Sequence, residues 1–124
     1  MVKKIKVAIF SGNRAEYGLQ YPIIKALKNH KRIEYKLLVS GAHLEKNFGN
    51  TINEIKKDGF DIFSEIKISM QKDSKKSTAL AISSGIQSIS KVLEKVNPDY
   101  FIVYADRFEG LAAVISSTQM NIPT

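Results

Sequence analysis

Cysteine and tryptophan are absent from this 124-residue chain, proline occurs three times, and no apolar run is longer than the six residues Tyr100 to Ala105. Without cysteine there can be no disulfide framework and no thiolate-ligated zinc or iron–sulfur centre. The short apolar runs exclude a membrane-spanning helix, which needs about 20 such residues. The N-terminus begins with basic residues, but it has no long apolar stretch and no small-residue cleavage site ahead of Ser11-Gly12-Asn13-Arg14. It does not read as a signal peptide, and the cytoplasm is the expected compartment. Arginine is also scarce: Arg14, Arg32 and Arg107 stand against 16 lysines.

What is present fits one globular domain over residues 1–124, since 44% of the chain is hydrophobic and the length can bury a core. The net charge of +7 lies wholly in residues 1–60, which hold 12 basic and 5 acidic groups, whereas residues 61–124 hold 7 of each. The lysines are scattered singly or in pairs between apolar residues. A nucleic-acid surface calls for a concentrated, arginine-bearing stripe with exposed aromatics, so these lysines read as solvated faces and no nucleic-acid or membrane partner is expected.

Strand and helix patterns alternate four times. Ile5 to Phe10, interrupted only by Lys6, is a short apolar stretch closed by a glycine turn, as in a buried strand. Leu19, Ile23 and Leu27 recur every four residues and predict a helix over about 16–29, with Pro22 either kinking it or lying close to its start. Ile33 to Val39 reads as a second strand. Thr51-Ile52-Asn53-Glu54 fits a capping box, and Gly59 a left-handed stop. Phe60 to Ile68 alternates as a half-covered edge strand does, and residues 70–76 read as a polar loop. Ala79, Ile82, Ile86, Ile89, Leu93 and Val96 mark a long amphipathic helix ended by Asn97-Pro98, with Gly85 inside it pointing to close packing. Tyr100 to Tyr104, apolar throughout, predicts a central strand covered on both faces. A fourth helix is expected over about 108–120, and Asn121 to Thr124 resembles the approach to a fifth strand. The expected architecture is an α/β domain with a parallel sheet built from Rossmann-like strand–helix units. A four-stranded sheet of this kind leaves an open edge, from which a longer chain or a partner is expected.

In open parallel sheets ligands bind beyond the carboxyl ends of the strands, where the strand order reverses. For the order 3-2-1-4 that point lies between the first and fourth strands, and two of the three arginines fall in the loops there. Arg14 follows the first strand in Ser11-Gly12-Asn13-Arg14-Ala15-Glu16-Tyr17-Gly18; Arg107 follows the fourth in Ala105-Asp106-Arg107-Phe108-Glu109. Arginine offers a bidentate fork to phosphate or carboxylate that lysine lacks. Gly12-x5-Gly18 is neither a GxGxxG fingerprint nor a phosphate loop. Glu16 suits the helix dipole but disfavours a bare anion, which places any phosphate contact on Arg14. Asp106 fits an N-cap with Glu109 at the third helical position, an arrangement that needs no function. His43, in Gly41-Ala42-His43-Leu44, lies on the same sheet edge, while His30 reads as a surface residue.

These strings, with Phe48-Gly49-Asn50-Thr51, Asp58-Gly59-Phe60, Asn97-Pro98-Asp99 and Asn121-Ile122-Pro123, together resemble the N-terminus of the hydrolysing UDP-N-acetylglucosamine 2-epimerases over residues 5–123. The resemblance implies the N-terminal part of a two-domain, glycosyltransferase-B-like fold, of which this chain is about the first third. It implies removal of UDP by elimination across C1–C2 and water addition that inverts C2, giving N-acetylmannosamine for sialic or related nonulosonic acid synthesis. By motif position Asp106 is the implied catalytic acid/base. Arg14, Arg107, His43, Gly12 and Glu16 are the implied substrate-binding residues. The implied partners are a UDP-sugar and further copies of the full-length protein; no cofactor and no metal is expected. Two departures stand out: Ala105 replaces the family's usual Gly before Asp-Arg, and the chain stops before the family's His-x-x-Gly-Gly-Glu segment. The 124 residues alone are expected to be inactive. The alternatives are a non-hydrolysing epimerase or glycosyltransferase of the same fold, and a stand-alone nucleotide-binding or interaction module.

Overall fold

The computed structural model describes residues 3–44, 51–68, 74–104 and 107–124. Their elements, in order, are β1 (Ile5–Ser11), α1 (Arg14–Asn29), β2 (Ile33–Ser40), a 3-10 turn (Gly41–Leu44), α2 (Thr51–Lys57), β3 (Ile62–Ile66), α3 (Lys75–Val96), β4 (Tyr100–Val103) and α4 (Phe108–Gln119). All strand pairs are parallel, in the order β3-β2-β1-β4. Ile5 stands opposite Ile33 and Val7 opposite Tyr100, with a bulge between Leu37 and Leu38 where β2 meets β3.

The alternation of side chains along β1 and β2 divides the core in two. Ala8, Phe10 and Leu38 face α3 and α4, packing on Ile89, Leu93 and Ala112. Val7, Ile9, Leu37 and Val39 face α1 and α2, packing on Ile24, Leu27 and Ile55. Because both faces are covered, these strands are apolar at successive positions, as buried parallel strands must be.

The structure corrects several expectations. The buried stripe of α1 is Tyr17, Gln20, Ile24 and Leu27, whereas Leu19 and Ile23 are 57% and 43% exposed. Pro22 lies inside α1 on its exposed side, and Gly18, whose carbonyl loses its donor there, is exposed too, so water can take the free acceptor. Helix α3 starts at Lys75, within the segment expected to be loop, because Ser74 caps it by accepting a hydrogen bond from Ser77 N. Its buried stripe is Ala81, Gly85, Ile89, Leu93 and Val96, with Ala79 exposed. A β-carbon on Gly85 would lie 3.1 Å from both Ala112 Cβ and Ile68 Cδ1, so glycine lets α3 approach α4. Strand β4 is not central among the described strands: it ends the order, and Tyr100 and Tyr104 are exposed. Its outer edge is met by the C-terminal residues, where Phe101 N donates to Pro123 O at 2.8 Å.

Candidate functional site

The strand order reverses between β1 and β4, where α1 and α4 begin. Buried polar side chains collect at that edge of the sheet: Ser11, Asn13, Glu16, Ser40, His43, Thr51 and Glu109 are all nine-tenths or more buried. Desolvating such groups is costly unless they are bonded, so the cluster has to be held by an organised network.

At the end of β1 the chain turns directly into α1. Asn13 is the N-cap, its Oδ1 accepting from Glu16 N at 3.0 Å, and Glu16 Oε2 in turn accepts from Gly12 N at 2.7 Å. Glu16 is therefore turned inward, where it fixes the turn before α1. Gln20, one helical turn on, donates to Phe10 O at 2.7 Å. Arg14 is the first residue of α1 and projects outward; its side chain is 73% exposed and its Nε lies 3.6 Å from Glu54 Oε2 of α2. Glu54 thus partners Arg14, and the hydroxyl of Thr51 bonds His43, so the Thr51–Glu54 capping box is not formed.

His43 belongs to the 3-10 turn after β2 and is buried, not solvated. Its Nε2 is 2.8 Å from Ser11 Oγ and its Nδ1 2.8 Å from Thr51 Oγ1, so one imidazole ties β1 and α2 to the turn. Both ring nitrogens are engaged, which leaves no lone pair for a metal ion. Burial pushes its pKa down to about 4, with an opposing contribution from the Asn13 backbone, and the ring is neutral at ordinary pH.

The neighbouring turn admits only glycine at position 41. Gly41 has φ +61°, and a β-carbon there would lie 2.6 Å from Gly12 O and 2.8 Å from Glu109 Oε1. Glu109, near the start of α4, is 2% exposed and reaches under both loops. Arg107, not Asp106, is the N-cap of α4 and makes no side-chain capping bond, so Glu109 occupies the second helical position and not the expected third. Arg107 Nε lies 3.2 Å from Glu109 Oε2, and its guanidinium sits over the Phe108 ring. Asp106 and Ala105 lie outside the described residues, as do residues 48–50 of the family-like strings.

Arg14 and Arg107 thus head two helices that follow adjacent strands, each beside the partial positive charge of a helix N-terminus. This arrangement suits the binding of an anion. Ser11, Thr51 and Glu109 also belong to this buried polar cluster, whereas their sequence gives Thr51 and Glu109 only capping roles and Ser11 none. The available signals are a hydroxyl ending an apolar strand and a carboxylate two residues after Arg107. A separate groove of about 760 Å³, lined by Lys56, Phe60, Asp61, Ile62 and Phe63 among others, follows the outer edge of β3 and contains none of the switch-point residues.

Comparison with known proteins supplies the context for this geometry. The family model for UDP-N-acetylglucosamine 2-epimerase matches residues 25–124. The chain is 36% identical over 118 residues to a UDP-N,N′-diacetylbacillosamine 2-epimerase (hydrolyzing) from Legionella pneumophila, covering 95% of this chain and 31% of that protein. It is 32% identical over 122 residues to a GDP/UDP-N,N′-diacetylbacillosamine 2-epimerase (hydrolyzing) from Campylobacter jejuni, covering 98% and 32%. Among solved structures, the UDP-GlcNAc 2-epimerase from Neisseria meningitidis bound to UDP-GlcNAc superposes with a TM-score of 0.78 at 22% identity, over 96% of this chain and 31% of that one. The chain therefore spans about a third of the length of the curated relatives it matches.

Proposed function

The chain belongs to the UDP-N-acetylglucosamine 2-epimerase family, and on that premise we propose that it is the N-terminal part of a hydrolysing member, contributing one wall of a cleft that a second domain completes. The reaction is elimination of UDP across C1–C2 of a UDP-2-acetamido sugar. The C2 proton is removed, the C1–O bond to UDP breaks, and water then adds to the resulting C1–C2 double bond with the opposite configuration at C2. With UDP-N-acetylglucosamine the product is N-acetylmannosamine, a precursor of sialic and related acids.

The observation that carries this reading is the pair of arginines heading α1 and α4 at the switch point of the sheet. In our reading Arg107 and Arg14 contact the diphosphate or sugar, and Asp106 is an acid/base at C2. His43, buried between Ser11 and Thr51, shapes the floor of the sugar pocket as a neutral group, with Gly12 and Glu16 forming the adjoining turn. The hydrolysing relatives named for a diacetamido sugar favour a substrate of that class as strongly as N-acetylglucosamine itself.

The test is turnover of UDP-N-acetylglucosamine and UDP-N,N′-diacetylbacillosamine by the full-length protein in heavy water. Free UDP and a C2-inverted sugar carrying deuterium at C2, formed without added nicotinamide, are expected. Product lacking deuterium at C2 would rule out the elimination, and a UDP-linked epimer without free UDP would assign a non-hydrolysing reaction. The 124 residues alone should not turn over either sugar, because positioning between two walls supplies about 7–11 kcal/mol of such a barrier.

A further inference from the structure

Glu109 combines three properties that are costly to maintain together. It is almost fully buried, it wedges under the two loops that carry Gly12 and Gly41, and its Oε2 has no hydrogen-bond partner among the described residues. An unsatisfied buried carboxylate oxygen is an expensive feature of a fold, so a compensating interaction is expected. Among the described residues the counter-charge is Arg107, whose Nε lies 3.2 Å from that same oxygen in an ion pair without an aligned N–H···O bond. The two groups differ sharply in surroundings: the carboxylate is buried, while the Arg107 side chain is 44% exposed.

This asymmetry determines which part of the guanidinium is committed. Arginine has one N–H on Nε and four on its two terminal nitrogens, all held in one plane. A carboxylate held against the Nε side by charge restrains that end of the group and leaves the terminal edge to accept a bidentate anion. Phe108 supplies a second restraint, its ring lying under the guanidinium at 5.6 Å. Gly41 is part of the same device, since any β-carbon there would displace the carboxylate.

We propose that Glu109 is a positioning residue: its buried charge, paired with Arg107 on the Nε side, holds the guanidinium so that its outer edge is presented to the diphosphate of the substrate. The inference rests on the proposed function for the identity of the anion, but the Glu109–Arg107 link can be tested without it. Glu109→Gln keeps the shape and removes the charge. In the full-length protein it should raise KM for the UDP-sugar about tenfold while kcat stays within about twofold, since a charge-assisted contact contributes on the order of a tenfold effect or more. Glu109→Asp, which keeps the charge but withdraws it by one methylene, should reproduce the KM effect. In an Arg107→Lys background, which has no Nε to hold, Glu109→Gln should change KM little further.

A second readout needs no activity. In protein labelled at arginine Nε, the Arg107 Nε–H resonance, assigned by its loss in Arg107→Lys, should exchange with water markedly faster in Glu109→Gln. Unchanged exchange, an unchanged KM, or equal effects of Glu109→Gln with and without Arg107 would each overturn the proposal. So would a fall in melting temperature that accounts for the KM change equally in both backgrounds, because Glu109 would then only prop the loops. If the wild-type protein releases no UDP, the proposed function fails, and the Nε exchange alone decides the link.

Discussion

Lowering the pH from neutral should destabilise this domain through His43. The ring is 2% exposed, sits between Ser11 and Thr51, and has its pKa held down to about 4 from the ordinary 6.5 by burial. Between those values the unfolded chain carries a proton on His43 that the folded chain refuses. The unfolded state therefore binds more protons, and stability rises with pH across the window and is lost as pH falls through it. At about 1.4 kcal/mol for each tenfold difference in proton affinity between the two states, the full penalty approaches ~3 kcal/mol, of which about 2 kcal/mol accrues between pH 7 and pH 5. Urea denaturation at those two pH values, compared with His43→Gln, isolates the effect, because the carboxylates are common to both proteins. Glutamine can offer Ser11 a polar nitrogen without binding a proton, so the variant should be less stable at neutral pH but about 2 kcal/mol less sensitive to the change. An imidazole resonance titrating near its ordinary value, or equal pH dependence in the two proteins, would refute the argument.

Gly41→Ala should lower stability by about 2–4 kcal/mol, combining a left-handed backbone with a β-carbon pressed against Gly12 O and Glu109 Oε1; a denaturation midpoint close to wild type would mean that the loops yield. Arg14→Lys in the full-length protein should weaken substrate binding although charge is kept, while the melting temperature stays nearly constant, because the Arg14–Glu54 pair is exposed. Unchanged kinetics would leave the turn at Gly12 a purely structural feature. Asp106→Asn should reduce turnover about 10²–10⁴-fold with little change in melting temperature, and an active variant would remove Asp106 from the chemistry.

Where single elements differ from their sequence reading, the cause is shared. Leu19, Ile23 and Leu27 make a valid helical stripe, but so do Tyr17, Gln20, Ile24 and Leu27, and only the position of the sheet selects between them. Thr51 and Glu54 have capping-box spacing, yet His43 and Arg14, distant in sequence, take both side chains. Asp106 and Glu109 likewise have the spacing for a cap, but α4 begins at Phe108 with Arg107 as its N-cap. A continuously apolar Tyr100–Val103 is compatible with a central place, although in the described sheet β4 is terminal and meets the chain end at Pro123.

The alternation of strand and helix, the parallel sheet and the placing of Arg14 and Arg107 at its switch point are determined by the sequence itself. Periodicity and punctuation by glycine, proline and asparagine are local properties, and right-handed crossovers leave few topologies that satisfy them. The inward turn of Glu16, the imidazole bridge from Ser11 to Thr51, and the carboxylate of Glu109 under Gly12 and Gly41 were decided only by the tertiary structure. Polar residues carry no periodic signal that marks them as buried. Whether each is hydrated or desolvated depends on which loops from separate strands close over it, and those loops meet only once the sheet has formed.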